Sequence, residues 1–128
     1  MKVIVTSIFV DDQEKAKTFY SEKLGFEVKH DIDMGGGHKW LTVVSKEQEN
    51  GTEIVLEPNE HPAAKDYQSR LFEEGIPVTM FGSDDLNKEY EELKANGVTF
   101  TKEPTQAGDV KLAIFDDTCG NLIQIVEQ

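Results

Sequence analysis

This chain of 128 residues has 25 carboxylates, three histidines and one cysteine, and none of them stands in a common catalytic spacing. His30 and His38 flank the run Gly35-Gly36-Gly37 and would meet across a hairpin turned at those glycines. His61 directly precedes Pro62, where it would cap a helix. No pair has the H-x-x-x-H spacing that brings two imidazoles onto one helical face. Glu53 and Glu57 share the side of a strand with Val55, because side chains alternate along a strand. Glu57 is therefore a candidate general base, and equally a candidate charge for holding a ligand. Cys119 lies in the stretch Asp116-Asp117-Thr118-Cys119-Gly120, where neighbouring carboxylates disfavour a nucleophilic thiolate. It reads as a turn residue, with Asp116 and Asp117 serving the turn through side-chain to backbone hydrogen bonds. The glycine run is not followed by G-K-[ST] and does not open a helix, which excludes a phosphate loop. No G-x-S-x-G is present.

The elements that position these residues follow a repeated order. Residues 2–10 alternate with β-branched residues and predict a strand. Asp11 is the expected N-cap of a helix with Glu14 three residues on. Ala16, Phe19, Tyr20 and Leu24 fall on one face of that helix, and Gly25 stops it. Strands are expected over 26–32, 40–44 and 52–57, with a polar turn over 46–51. The second half repeats this: a strand over 78–81, then a helix capped by Ser83 or Asp84 with Leu86, Tyr90 and Leu93 on one face. Gly97 ends that helix, and three strands follow over 98–102, 110–115 and 122–126. Each half is thus β-α-β-β-β, with a linking helix around 62–74 from Pro62 to Gly75 and Pro77. Ala64, Tyr67, Leu71 and Phe72 are its expected inward residues. The fold class is α+β: one domain over 1–128, with modules of about 1–60 and 76–128, a linking segment of about 61–75 and eight strands.

Two stretches carry a resemblance. Residues 9–26 contain Phe19-Tyr20 and Leu24-Gly25-Phe26, and residues 116–127 contain Asp116 and Gly120-Asn121. Together they resemble the vicinal oxygen chelate family, which includes glyoxalase I, bleomycin-binding proteins, fosfomycin-modifying enzymes and extradiol dioxygenases. The resemblance implies curved mixed sheets around a ligand cleft. For small two-module members it also implies a homodimer whose clefts are completed by both chains. Family enzymes hold a divalent metal with His and Glu from the first and last strand of each module, and the ion acts as a Lewis acid. Alignment on the quoted residues puts those positions at Val5, Val78 and Gln124, with the fourth near Val55. Valine offers no lone pair, and the amide oxygen of Gln124 is a weak donor for a transition metal. The resemblance therefore implies a cleft without the family's metal. Its expected lining is Val5, Ser7, Trp40, Thr42, Val55, Glu57, Val78, Met80, Phe115 and Gln124. Trp40 has a competing place in the core.

Bulk properties narrow the partners. A formal charge of −12 argues against nucleic acid and anionic membranes, and suits a small organic molecule of cationic character. One cysteine excludes an internal disulfide and fits a reducing, cytoplasmic setting. The N-terminal M-K-V-I-V-T-S-I-F-V runs into Asp11-Asp12 without a cleavage signal. Three functions follow: a metal-free binding protein that sequesters a small molecule; a lyase or dioxygenase with a displaced metal built on Glu57, Gln124 or a histidine; and a metal-independent isomerase with Glu57 as base.

Overall fold

The computed structural model describes residues 1–48 and 50–128, so of the polar turn expected over 46–51 Glu49 lies outside the described residues. The chain divides into two compact units, Met1–Lys65 and Asp66–Gln128.

In the first unit β1 (Val5–Val10) leads into α1 (Gln13–Thr18), followed by β2 (Glu27–Gly35), β3 (His38–Val44) and β4 (Glu53–Pro58). A short 3-10 turn, Lys46–Gln48, joins β3 to β4. The strands form one sheet in the order β1-β4-β3-β2. β1 runs parallel to β4, and the other neighbours are antiparallel. α1 covers the face that carries Ile8, Val10, Leu41, Val43 and Leu56, all buried together with Ala16, Phe19 and Tyr20. The helix cap falls one residue later than expected: the Asp12 carboxylate accepts the Glu14 and Lys15 amides at 3.0 and 3.1 Å. Asp11 instead pairs with the Lys15 ammonium. The helix widens into a π turn over Phe19–Lys23, and Gly25, at φ +84°, lets the chain leave it.

The second unit repeats the plan. β5 (Thr79–Ser83), α3 (Leu86–Ala95), β6 (Thr99–Ala107), β7 (Val110–Asp116) and β8 (Leu122–Glu127) follow in order. Their sheet is β5-β8-β7-β6, with β5 parallel to β8. Here too the cap is one step later than expected. Asp85 accepts the Lys88 amide at 3.2 Å, while the Ser83 hydroxyl takes the Asp85 amide at 3.3 Å. α2 (Pro62–Glu73) precedes β5. It buries Ala64 and Gln68 and leaves Tyr67 and Phe72 exposed at 58% and 39%, contrary to the expected inward face. The reason is Gln68, whose amide donates to the Asn121 side chain at 3.1 Å and the Cys119 carbonyl at 3.3 Å. Burying those bonds turns the helix so that Tyr67 faces outward.

The turn between β7 and β8 is built on the fully buried Asp117. Its carboxylate accepts the Cys119 amide at 2.7 Å, the Asn121 amide at 3.0 Å and the Asn121 side-chain amide at 2.7 Å. Asp116 accepts the Thr118 amide at 2.7 Å. Both aspartates therefore serve the turn, and Cys119 is buried in it. Gly120 has φ +102°, and a Cβ there would stand 2.8 Å from the Gln68 amide nitrogen.

Candidate functional site

The pleat of the first sheet sends alternate residues to the face opposite α1. Register fixes which ones. Ser7 stands beside Val55, and Val5 and Phe9 beside Glu53 and Glu57. Val55 pairs with Thr42, Thr42 with His30, and Ile32 with Trp40. This settles the parity of Trp40 and Thr42, which both lie on the face of Val55. His30 and His38 do not meet: their partners across the hairpin are Thr42 and Gly35. His38 bonds to Glu60 at 2.8 Å, and His61 caps α2 by accepting the Ala63 amide at 3.0 Å.

An open hollow of about 330 Å³ lies on this face, lined by Met34, His38, Lys39, Trp40, Val55, Glu57 and Pro58. Its origin is a local parting of strands. β3 and β4 are bridged at Thr42–Val55 and Val43–Ile54. Beyond Thr42, the side chain of Gln13 in α1 takes over. Its amide donates to the carbonyls of Lys39 at 2.9 Å and Leu56 at 2.8 Å, and its oxygen accepts the Lys39 amide at 3.0 Å. Three backbone groups that a tighter ladder would pair are satisfied by one wedge. The strands stay apart, and the hollow opens on the other side. Nothing in the sequence singles out a glutamine at the first turn of a helix.

Beside the hollow lies a polar row. Glu53 accepts the Thr42 hydroxyl at 2.7 Å and lies 3.0 Å from His30 Nδ1 and 3.5 Å from the Lys29 ammonium. The Thr42 hydroxyl, then His30 and Lys29, hold the Glu53 carboxyl below the usual carboxylate range. On the α1 side, Lys17 and then Lys39 lower Asp31, and Lys39 is raised by Glu14 and then Asp31. Those exposed pairs fasten α1 to the β2–β3 edge.

In the second unit Met80 stands beside Gln124, which pairs with Ile114. The Val78 amide bonds to the Leu122 carbonyl at 2.9 Å, which gives Val78 the parity of Met80. Phe115 stands apart from them, which corrects its expected place in the lining. It pairs with Ile123 and Phe100, and its ring lies 5.8 Å from that of Phe100, which in turn meets Tyr90 of α3 at 4.7 Å. This aromatic stack puts Phe115 in the core under α3, on the face opposite Gln124.

The positions expected to carry family metal ligands offer three valines and one amide. Among the described residues no group of three or more His, Cys, Asp or Glu side chains is placed to hold a metal ion. Among the described residues no helix is long and apolar enough to cross a membrane.

The β-α-β-β-β order found in each of the two units, with the buried Asp117–Asn121 turn, defines the class. The chain belongs to the Glyoxalase/Bleomycin resistance protein/Dioxygenase superfamily, whose sequence model matches residues 2–125. It is 61% identical over 128 residues, the whole of both chains, to the uncharacterized protein YurT of Bacillus subtilis (strain 168). Among solved structures it is similar to UcmS2, with TM-score 0.84, 32% identity and coverage of 98% of this chain and 97% of that one. It is also similar to TnmS3, an antibiotic binding protein from Streptomyces sp. CB03234, with TM-score 0.77, 28% identity and coverage of 99% and 95%.

Proposed function

We propose that the chain is a metal-free small-molecule binding protein that sequesters an organic cation. The observation that carries this is the hollow. It sets the Trp40 indole, 36% exposed, beside the Glu57 carboxylate, with Met34 and Val55 as apolar walls. An aromatic face and a carboxylate together attract an ammonium group on an apolar body. The formal charge of −12 adds attraction at longer range. The likeness to a protein named as antibiotic binding supports binding over turnover, as does the absence of donors at Val5, Val55 and Val78. We further propose a homodimer on the pattern the family implies.

Trp40 is the single tryptophan, so its emission reports on the hollow. Benzyltrimethylammonium is expected to quench it saturably, benzenesulfonate is not, and Glu57→Gln should weaken the ammonium response about tenfold. Equal response to both probes, or to neither, would overturn the cation reading. Elemental analysis should find no stoichiometric transition metal, and one tightly held ion per chain would refute the metal-free reading. A concentration-independent monomer by light scattering would remove the dimer.

A further inference from the structure

The polar row beside the hollow has a defined proton inventory. The Thr42 hydroxyl has one hydrogen, and it goes to Glu53 Oε1 at 2.7 Å. The Glu53 carboxylate has none to give. His30 Nδ1 lies 3.1 Å from Thr42 Oγ1 and 3.0 Å from Glu53 Oε1, and both oxygens face it as acceptors. The hydrogen must therefore reside on Nδ1. A neutral imidazole has one N–H, so Nε2 keeps its lone pair. No hydrogen bond to Nε2 is formed among the described residues.

Two features separate this from an ordinary surface ion pair. Thr42 is fully buried, and the Glu53 side chain is 16% exposed, so the base of the arrangement is fixed. His38 and Glu60, by contrast, are 49% and 66% exposed and unanchored. The His61 ring spends its Nδ1 lone pair on the Ala63 amide. His30 also shares its face with Ile32 and Trp40, two positions further along β2 and β3. His30, its tautomer fixed, thus lies on the same sheet face as the exposed Ile32 and Trp40.

We infer that His30 Nε2 is a preset hydrogen-bond acceptor for a ligand hydroxyl, of the class of a weakly acidic aromatic hydroxyl lying on Ile32 and Trp40. Glu53 and Thr42 are positioning residues: they hold the tautomer and do not touch the ligand. This extends the binding reading to a second position on the same face, and its test makes no use of an ammonium probe.

Long-range ¹H–¹⁵N correlation spectra of the full chain at pH 8, assigned with His30→Gln, read the tautomer directly. The expected result is a protonated Nδ1 and an unprotonated Nε2. Titration with phenol should then move the Nε2 resonance saturably, while anisole, which lacks the hydrogen, should leave it in place. Glu53→Ala should mix the tautomers and weaken the phenol response several-fold. Glu53→Gln, which keeps an acceptor for Nδ1–H, should retain most of it. A protonated Nε2 in the neutral ring would overturn the inference, as would equal shifts from phenol and anisole, or no shift from phenol. A protein that answers phenol but not benzyltrimethylammonium would lose the cation reading and keep this one.

Discussion

The two units share a plan and differ at one residue that changes what each sheet can do. The position after the N-cap is Gln13 in the first unit and Leu86 in the second. Leu86 is fully buried, and the β7–β8 ladder beneath it is bridged at five pairs from Leu112–Val126 to Asp116–Leu122. Gln13 is wedged between β3 and β4, which are bridged at two. An apolar residue lets the strands close, and an amide that can replace backbone partners lets them part. The same plan thus yields a continuous ladder in one unit and a hollow in the other. The faces differ accordingly: Glu53, Glu57, Thr42 and His30 in the first, against Met80, Gln124 and Ile114 in the second.

The contrast can be broken most severely at the turns that follow β3 and β7. Asp117→Ala should cost about 3 kcal/mol or more in urea denaturation, since it strands buried amides of Cys119 and Asn121. In the other unit, Glu47→Ala in the exposed 3-10 turn should stay within about 0.5 kcal/mol. Gln13→Leu comes next. It imports the residue of the second unit and should cost about 2 kcal/mol, because three backbone groups lose their partner. Amide exchange at Lys39 should accelerate, and Trp40 emission should change as the hollow closes. An unchanged Lys39 amide would mean that the wedge does not hold the strands.

Much of this was legible from the sequence, and what was missed has a physical cause. Glycines at helix ends, caps within one residue and the repeated order of elements gave the plan, because each is a local signal. Parity was harder, since pairing register is set by residues far apart in the chain. β7 carries Ala113, Ile114 and Phe115 in succession, so no alternation marks which side meets the helix. The wedge was invisible because a glutamine at a first turn has no local signature. Glu53 was seen on the right strand side, but its partners His30 and Thr42 come from two other strands.

Acid titration sharpens the comparison with a smaller effect. The folded carboxyl of Glu53 is held below its ordinary value, so its contribution to stability is complete above the usual glutamate pKa of about 4.3. That contribution is lost as the pH falls through the lowered value. Glu53→Gln should therefore flatten the acid limb of a stability–pH curve, and an identical limb would remove Glu53 as its source. The smallest effect is expected in the second unit. Gln124→Leu should change stability by no more than about 0.5 kcal/mol. Its effect on benzyltrimethylammonium affinity should stay within about twofold if the first unit alone holds the probe. A larger loss would overturn that assignment.

The hairpin tip between β2 and β3 constrains how the chain can change by mutation. Gly35, Gly36 and Gly37 have φ of +85°, +62° and +83°, and a Cβ at any of them would meet nothing within 4 Å. The tip is thus barred to most side chains by backbone geometry and not by crowding. Its neighbours Met34 and His38 form one wall of the hollow. Lengthening the loop by a few residues would relax the backbone constraint and reshape that wall, while the Thr42–Val55 bridge and the Gln13 wedge stay in place. The shape of the hollow can therefore diverge among descendants through insertions at a single loop, without disturbing the sheet beneath it.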